Sequence, residues 1–346
     1  MIRMFIFVFL LVFSKNYANE NEKWIVVTTI QYPTPQLKRL AQLPGWRLVV
    51  VGDRKTPSDW YLDNCEYLSP DRQLSLGYEI ADLLPWNHYS RKNIGYLFAI
   101  SQGAKVIYDT DDDNQPLGEL TCTLGEQHFP FLITEGNTFN IYRYFGRPDV
   151  WPRGIPLIEI KNEQLFALTL PMTCYIGIEQ GIVNHQPDVD AIFRFTRPDV
   201  VDFVSQETCV LPKGVFCPIN SQNTFFDYRT FFALYLPSSV SMRVSDIWRG
   251  YIAQSLLWRY GSVVAFSGPN AVQNRNDHCI LNDFTQESDL YLKSDQLLKV
   301  LSTHNTSILW LYKELFQKGF FRELDVILSE AWLRDLERAG YILPEE

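Results

Sequence analysis

The sequence predicts an α/β fold with a mainly parallel central sheet and a set of C-terminal helices. Three observations carry that prediction. Apolar, β-branched runs at residues 24–29, 46–51 and 104–108 alternate with helical stretches at the spacing of strand–helix–strand units. The third run passes straight into Asp109-Thr110-Asp111-Asp112-Asp113-Asn114. Over residues 289–339 apolar positions such as Leu297, Leu298, Leu301, Leu311 and Leu315 recur at helical intervals.

Residues 24–29 (WIVVTT) read as a buried strand, and Pro33 and Pro35 then break the chain before a short helix at 37–42. Residues 46–51 (WRLVVV) form a second strand ending at Gly52-Asp53. Helices are expected at 75–83 and 90–102, and a third strand at 104–108. Between about 129 and 230, short runs separated by Pro and Gly suggest irregular loops and small strands over one sheet edge. A helix at 245–260 ends at Gly261, suited to a left-handed cap, and a late strand covers 261–266. The expected organisation is a leader at 1–18, an α/β unit at 23–288 and helices at 289–346 packed on it.

With 346 residues, 46% of them hydrophobic, the chain can bury a large core. A mean hydropathy of -0.12 argues against several membrane spans. The net charge of -9 repels a phosphate backbone, and no basic stripe offsets it, so nucleic acid is excluded as a partner. Arg3 and the apolar run from Met4 to Phe13 match a signal-peptide core, because ten residues rise only about 15 Å as a helix. The expectation is a secretory route, to the Golgi lumen or outside the cell, with membrane contact only through that segment if it stays uncleaved. One sequon, at Asn305, and six cysteines agree with it, and a disulfide between Cys209 and Cys217 would close a short loop.

The acidic cluster is the sharpest chemical signal. Asp111 and Asp113 stand two apart, so an extended or turning backbone points both to one side. Two such carboxylates repel unless a cation lies between them, and their oxygens suit Mg²⁺ or Mn²⁺ carrying a diphosphate. The carboxyl end of a strand in an α/β sheet is where ligands bind. Thr28 and Asp53 end neighbouring strands and are candidates for the nucleotide, with a turn-capping role for Asp53 equally open. Arg91 and Lys92 open the helix before the cluster and can reach phosphate. Asp246 starts the 245–260 helix, with Ser245 as its cap, and is the candidate base for an acceptor hydroxyl. Arg249, three residues on, is expected to pair with it or to hold phosphate.

Several long blocks stand in one order: VVTTIQYPTPQLKRLAQLPGWRLVVVGDRKTP, RKNIGYLFAISQGAKVIYDTDDDN, WPRGIPL, IEQGIVNHQPDVDAIFR, LPKGVFCPINSQNTFF and VSDIWRGYIAQSLLW. On these blocks the chain resembles the STELLO family of Golgi glycosyltransferase-like proteins. More distantly it is similar to the reversibly glycosylated polypeptides, the UDP-arabinopyranose mutases. The resemblance implies a GT-A-like nucleotide-diphospho-sugar transferase fold, with Asp111 and Asp113 as a DxD metal pair, Asp53 near the nucleotide and Asp246 as the acid of the DIWRG block. It also implies a UDP-sugar donor, a glycan or protein acceptor, partner glycosyltransferases, and His278 as a further metal ligand. The expected activity is metal-dependent transfer of a sugar to an acceptor hydroxyl. A non-catalytic scaffold or trafficking role and nucleotide-sugar hydrolysis are the alternatives.

Overall fold

A computed structural model describes residues 22–197, 200–274, 279–303 and 307–344. The N-terminal apolar run, the sequon Asn305 and His278 lie outside the described residues. The first half builds β1 (Lys23–Thr28), α1 (Pro35–Leu40), β2 (Arg47–Val51), β3 (Cys65–Leu68), α2 (Pro70–Ser75), α3 (Glu79–Leu83), α4 (Lys92–Ser101) and β4 (Val106–Thr110). Strands β3, β2, β1 and β4 run parallel in that spatial order. Strands β1 and β2 are apolar on both faces because α4 packs on one side and α1 on the other, as buried parallel strands require. Helix α4 presses onto β1 and β2 at Gly95, where a Cβ would come within 2.7 Å of Val26 and Val51. The helix expected at 75–83 is interrupted: α2 ends at Ser75 and α3 starts only at Glu79. Gly77 between them has a φ of 70°, a left-handed conformation that glycine adopts without strain.

The second half adds β5 (Asn114–Pro116), β6 (Gly125–Phe129), β7 (Leu132–Thr134), β8 (Phe166–Leu168), β9 (Met172–His185), α5 (Ala191–Thr196), β10 (Gln206–Leu211), β11 (Asn223–Asp227), α6 (Met242–Leu257) and β12 (Ser262–Gln273). The sheet continues from β4 through antiparallel β11 to β9, β12 and β10, with β9 and β12 parallel to each other. The region expected to form edge loops therefore supplies interior strands. Glu179 and Gln180 of β9 disguise it, since buried strands rarely carry them. Glu179 is satisfied by Ser267 Oγ, at 2.6 Å, and Thr123 Oγ1, at 2.9 Å.

Helix α6 begins at Met242, one turn earlier than expected, so Asp246 sits in its second turn. Ser245 does not cap the helix; its hydroxyl donates to the Pro237 carbonyl at 2.6 Å. Cys209 and Cys217 are buried free thiols rather than a disulfide, and burial pushes the Cys217 thiol up to about 12.

The chain ends in α7 (Ile280–Gln286), α8 (Ser288–Thr303), α9 (Ile308–Gln317) and α10 (Glu323–Arg338). Their apolar faces join the sheet's core: Trp24 and Leu97 belong to one cluster with Trp248, Leu297 and Trp332. Helix α10 also supplies two buried aspartates. Asp325 accepts from Tyr235 Oη at 2.7 Å and from the amides of Ser238 and Ser239 at 2.7 and 3.0 Å. Asp335 accepts from the amides of Glu79 and Ile80 at 2.9 and 2.8 Å, capping α3. Among the described residues no helix is long and apolar enough to cross a membrane.

Trp332 is fully buried and donates Nε1–H to the Phe232 carbonyl at 3.0 Å. Trp332→Ala should cost about 3–5 kcal/mol in denaturant unfolding, as large-to-small core changes do. The transition should stay single by fluorescence and far-UV dichroism. A separate early transition confined to the helices would contradict a shared core.

Candidate functional site

A cleft of about 430 Å³ opens at the carboxyl ends of β1, β2 and β4, large enough for a nucleotide-sized ligand. Thr28, Gln31, Asp53, Lys55 and His88 line one wall, and Arg153, Asp188, Gln222, Arg243 and Asp246 line the other. Asp111, Asp112 and Asp113 lie between them. Six aspartates face five Lys and Arg side chains along the lining, so the cleft as a whole favours a cation over a bare anion.

The acidic turn is built on a buried carboxylate. Asp109, the fourth residue of β4, is fully buried between Lys92 Nζ, at 2.6 Å, and Arg249 Nη2, at 2.9 Å. Burial opposes its ionisation, but Lys92 and Arg249 together outweigh it and hold the carboxyl below the usual range. Lys92 Nζ also donates to the Thr110 carbonyl at 2.7 Å and to Tyr89 Oη at 3.1 Å. The chain then turns through residues 111–113, with the Asn114 amide reaching the Asp111 carbonyl at 3.4 Å.

Each carboxylate of the turn is held from a different element. Tyr89 Oη donates to Asp111 Oδ1 at 3.1 Å, Thr29 Oγ1 to Asp112 Oδ2 at 2.6 Å, and Gln273 Nε2 to Asp113 Oδ1 at 2.7 Å. Asp111 keeps 33% of its side chain open to the cleft. Its carboxyl is pushed up to about 7 by burial; Lys92 opposes this, and the charges of Asp113, Asp109 and Asp246 add to it. Burial and the neighbouring carboxylates thus both disfavour its charge, and Lys92 offsets them only in part. Among the described residues no three His, Cys, Asp or Glu side chains converge as a complete metal cage. A magnesium-type ion needs only one or two carboxylates beside phosphate and water, and Asp111 and Asp113 fit that demand.

On the opposite wall, Asp246 is joined to Arg153 through Nη1 at 3.2 Å and Nη2 at 2.9 Å, and accepts from the Ser221 amide at 3.3 Å. Arg153 also grips Asp188, through Nε at 2.7 Å and Nη2 at 2.8 Å, and donates Nη1–H to the Arg243 carbonyl. Burial works against the Arg153 charge, but the two aspartates more than compensate.

The predicted residues divide accordingly. Thr28, Asp53, Arg91, Asp111, Asp113 and Asp246 all line the cleft. Asp53 does so as a turn cap: its carboxylate accepts from the Arg54 amide at 2.7 Å and the His88 amide at 3.1 Å. Arg91 is buried, with Nε on Gln73 Oε1 at 2.7 Å, Nη1 on the Ala81 and Leu84 carbonyls, and its guanidinium 3.6 Å from the Trp86 ring centre. Arg249 corrects the expectation. It lies behind the cleft on Asp109 and on Ser221 Oγ at 2.7 Å, pairing with neither Asp246 nor open space. His278 is outside the described residues. Lys92, expected to reach phosphate, is instead buried on Asp109, and Tyr89, Arg153, Asp188 and Gln273 were not foreseen. Lys92 carried one signal, a lysine opening an otherwise apolar helix; the others find their partners far away in the chain.

The sequence of residues 243–346, from the start of α6 onward, matches a family model described as STELLO glycosyltransferases. The chain is 37% identical over 358 aligned positions to the Arabidopsis thaliana protein named "Probable glycosyltransferase STELLO1", covering 95% of this chain and 46% of the relative. The same figures hold for the Arabidopsis thaliana protein named "Probable glycosyltransferase STELLO2". The chain belongs to the STELLO family. It spans about half the length of these STELLO relatives. The family match includes Asp246, Arg249 and all four C-terminal helices.

Removing one partner of a buried ion pair costs about 3–5 kcal/mol because the other charge is left uncompensated. Lys92→Met should lose that much in urea unfolding. Lys55→Met, at an exposed rim position, should change stability by less than about 0.5 kcal/mol. Equal, small effects at both positions would contradict the organising role of Lys92.

Proposed function

We propose that the chain is a metal-dependent glycosyltransferase with a GT-A-like site, moving a sugar from a nucleoside diphosphate to an acceptor hydroxyl. The observation that carries this is the turn at the carboxyl end of β4, which places Asp111, Asp112 and Asp113 together on the cleft with Asp111 partly open to it. Asp111 and Asp113 would hold Mg²⁺ or Mn²⁺. Bound there, the ion would supply charge neutralisation for a diphosphate lying beside the three aspartates of the turn. The likeness to the two Arabidopsis proteins named as glycosyltransferases supports the same class. Uridine as the base follows the resemblance to UDP-sugar mutases.

Thr28 and Asp53 would flank the nucleoside. Asp53 offers its remaining carboxylate lone pairs, since the bonds it accepts come from two backbone amides. Across the cleft, Asp246 would take the acceptor proton. The acceptor oxygen forms its bond to the anomeric carbon as the bond from that carbon to the diphosphate breaks, and the electron pair leaves with the diphosphate. Arg153 fixes the Asp246 carboxylate through two hydrogen bonds, so its orientation is set before substrate arrives.

In calorimetry, Mn²⁺ should raise UDP affinity by at least about tenfold, or about 1.4 kcal/mol. Asp113→Asn should remove most of that gain while the metal-free protein melts at the same temperature or slightly higher. UDP binding that ignores both metal and mutation would overturn the reading.

A further inference from the structure

We infer that Asp188, Arg153 and Asp246 form a hydroxyl-reading subsite that takes the transferred sugar, and that Arg153 and Asp188 are its positioning residues. The inference rests on the donor-binding reading above and adds to it where the sugar lies and what recognises it. Its basis is a count of hydrogen-bonding capacity.

A guanidinium has five N–H donors. In Arg153 all five are engaged: Nε on Asp188, one Nη1–H on the Arg243 carbonyl and one on Asp246, and the two Nη2 hydrogens on Asp188 and Asp246. Arg153 is therefore not available to a phosphate, although it is an arginine lining a cleft. The two carboxylates together offer roughly eight acceptor positions. Four are taken by Arg153 and one by the Ser221 amide. About three acceptor positions are left at this wall, on a triad whose net charge is -1. Arg243 and Arg194 also act on Asp188, so the spare acceptors rather than the net charge set what binds here. They suit a neutral ligand with several adjacent O–H donors.

Position selects the sugar over other polyols. The triad lines the same cleft as the turn proposed to carry the diphosphate. The wall between them is continuous. Gln273 bonds Asp113, Gln222 Nε2 donates to Gln273 Oε1, and the amide of the adjacent Ser221 donates to Asp246 at 3.3 Å. A group joined to the diphosphate therefore meets the spare acceptors of Asp246 and Asp188. Arg153 holds both carboxylates at a fixed spacing, which lets the pair discriminate between arrangements of neighbouring hydroxyls.

The test is calorimetry on the full chain with Mn²⁺, using UDP and a panel of UDP-hexoses and UDP-pentoses. Asp188→Asn keeps the shape but replaces an acceptor by a donor. UDP affinity should stay within twofold, whereas the best-bound UDP-sugar should weaken at least tenfold. Arg153→Lys keeps one charge but loses the fork; it should show the same split, and carries the test if Asp188→Asn does not fold. Equal weakening of UDP and UDP-sugar, no change in either, or wild-type binding of UDP but of no sugar in the panel would each overturn the inference. If UDP itself does not bind, the nucleotide reading fails. The subsite is then judged with methyl glycosides by saturation-transfer NMR: transfer to wild type that disappears in Asp188→Asn sustains it, and no transfer to wild type removes it.

Discussion

A single buried carboxylate, Asp109, joins the parts of the molecule that make the cleft. It is the next-to-last residue of a central strand, and its two oxygens meet Lys92 from α4 and Arg249 from α6. Burying one carboxylate is costly, and burying it with two cations is tolerable only when the geometry is tight. Gly95 helps supply that geometry by letting α4 lie against β1 and β2. The pairing also fixes the next stretch of chain. With Thr110 bound through its carbonyl to Lys92 and through its hydroxyl to the Gln222 carbonyl, the three aspartates after it cannot swing apart to relieve their repulsion. The crowding of charge in the turn is a consequence of order behind it.

The two walls of the cleft differ in chemistry, and the C-terminal helices support both. Asp335 of α10 caps α3, whose Ala81 carbonyl and the adjoining Leu84 carbonyl hold Arg91. Ten residues earlier in the same helix, Asp325 ties down the 238–239 segment that leads into α6, the helix of Asp246 and Arg249. The first wall is anchored largely through backbone amides and carbonyls. The second is an ion-pair lattice, extended from Arg153 through Arg243 to the buried Glu287, which also accepts from the Ala191 amide at 2.8 Å. A lattice of that kind holds carboxylates in place without water, which is the arrangement expected where substrate is to be oriented rather than merely bound.

Much of this was legible in the sequence where the signal is local. The runs that became β1, β2 and β4, the helical intervals after residue 289, and the acidic turn ending an apolar strand all rest on neighbours within a few positions. The failures have a common physical cause. Strand β9 carries Gly177, Glu179, Gln180 and Gly181, so its interior place depends on partners at Thr123, Ser267 and β11 that periodicity does not reveal. Arg249 looked like a partner for Asp246 because the two are three apart on one helix, a spacing that brings side chains together. The structure separates them: Arg249 meets Asp109, 140 positions away, and Asp246 meets Arg153, 93 positions away. Pairings at that distance belong to the fold, and no local pattern announces them.

Whether the ordered turn is a cation site decides between a transferase centre and a merely acidic loop. Crystals of the chain grown with Mn²⁺ and UDP, read by anomalous scattering from manganese, would answer this most directly. The prediction is one strong anomalous peak in the cleft at inner-sphere distance from Asp111 or Asp113, about 2.1 Å for a magnesium-like ion, with diphosphate oxygens completing its shell. A diphosphate bound with no metal at the turn, or a metal bound only elsewhere on the molecule, would contradict it.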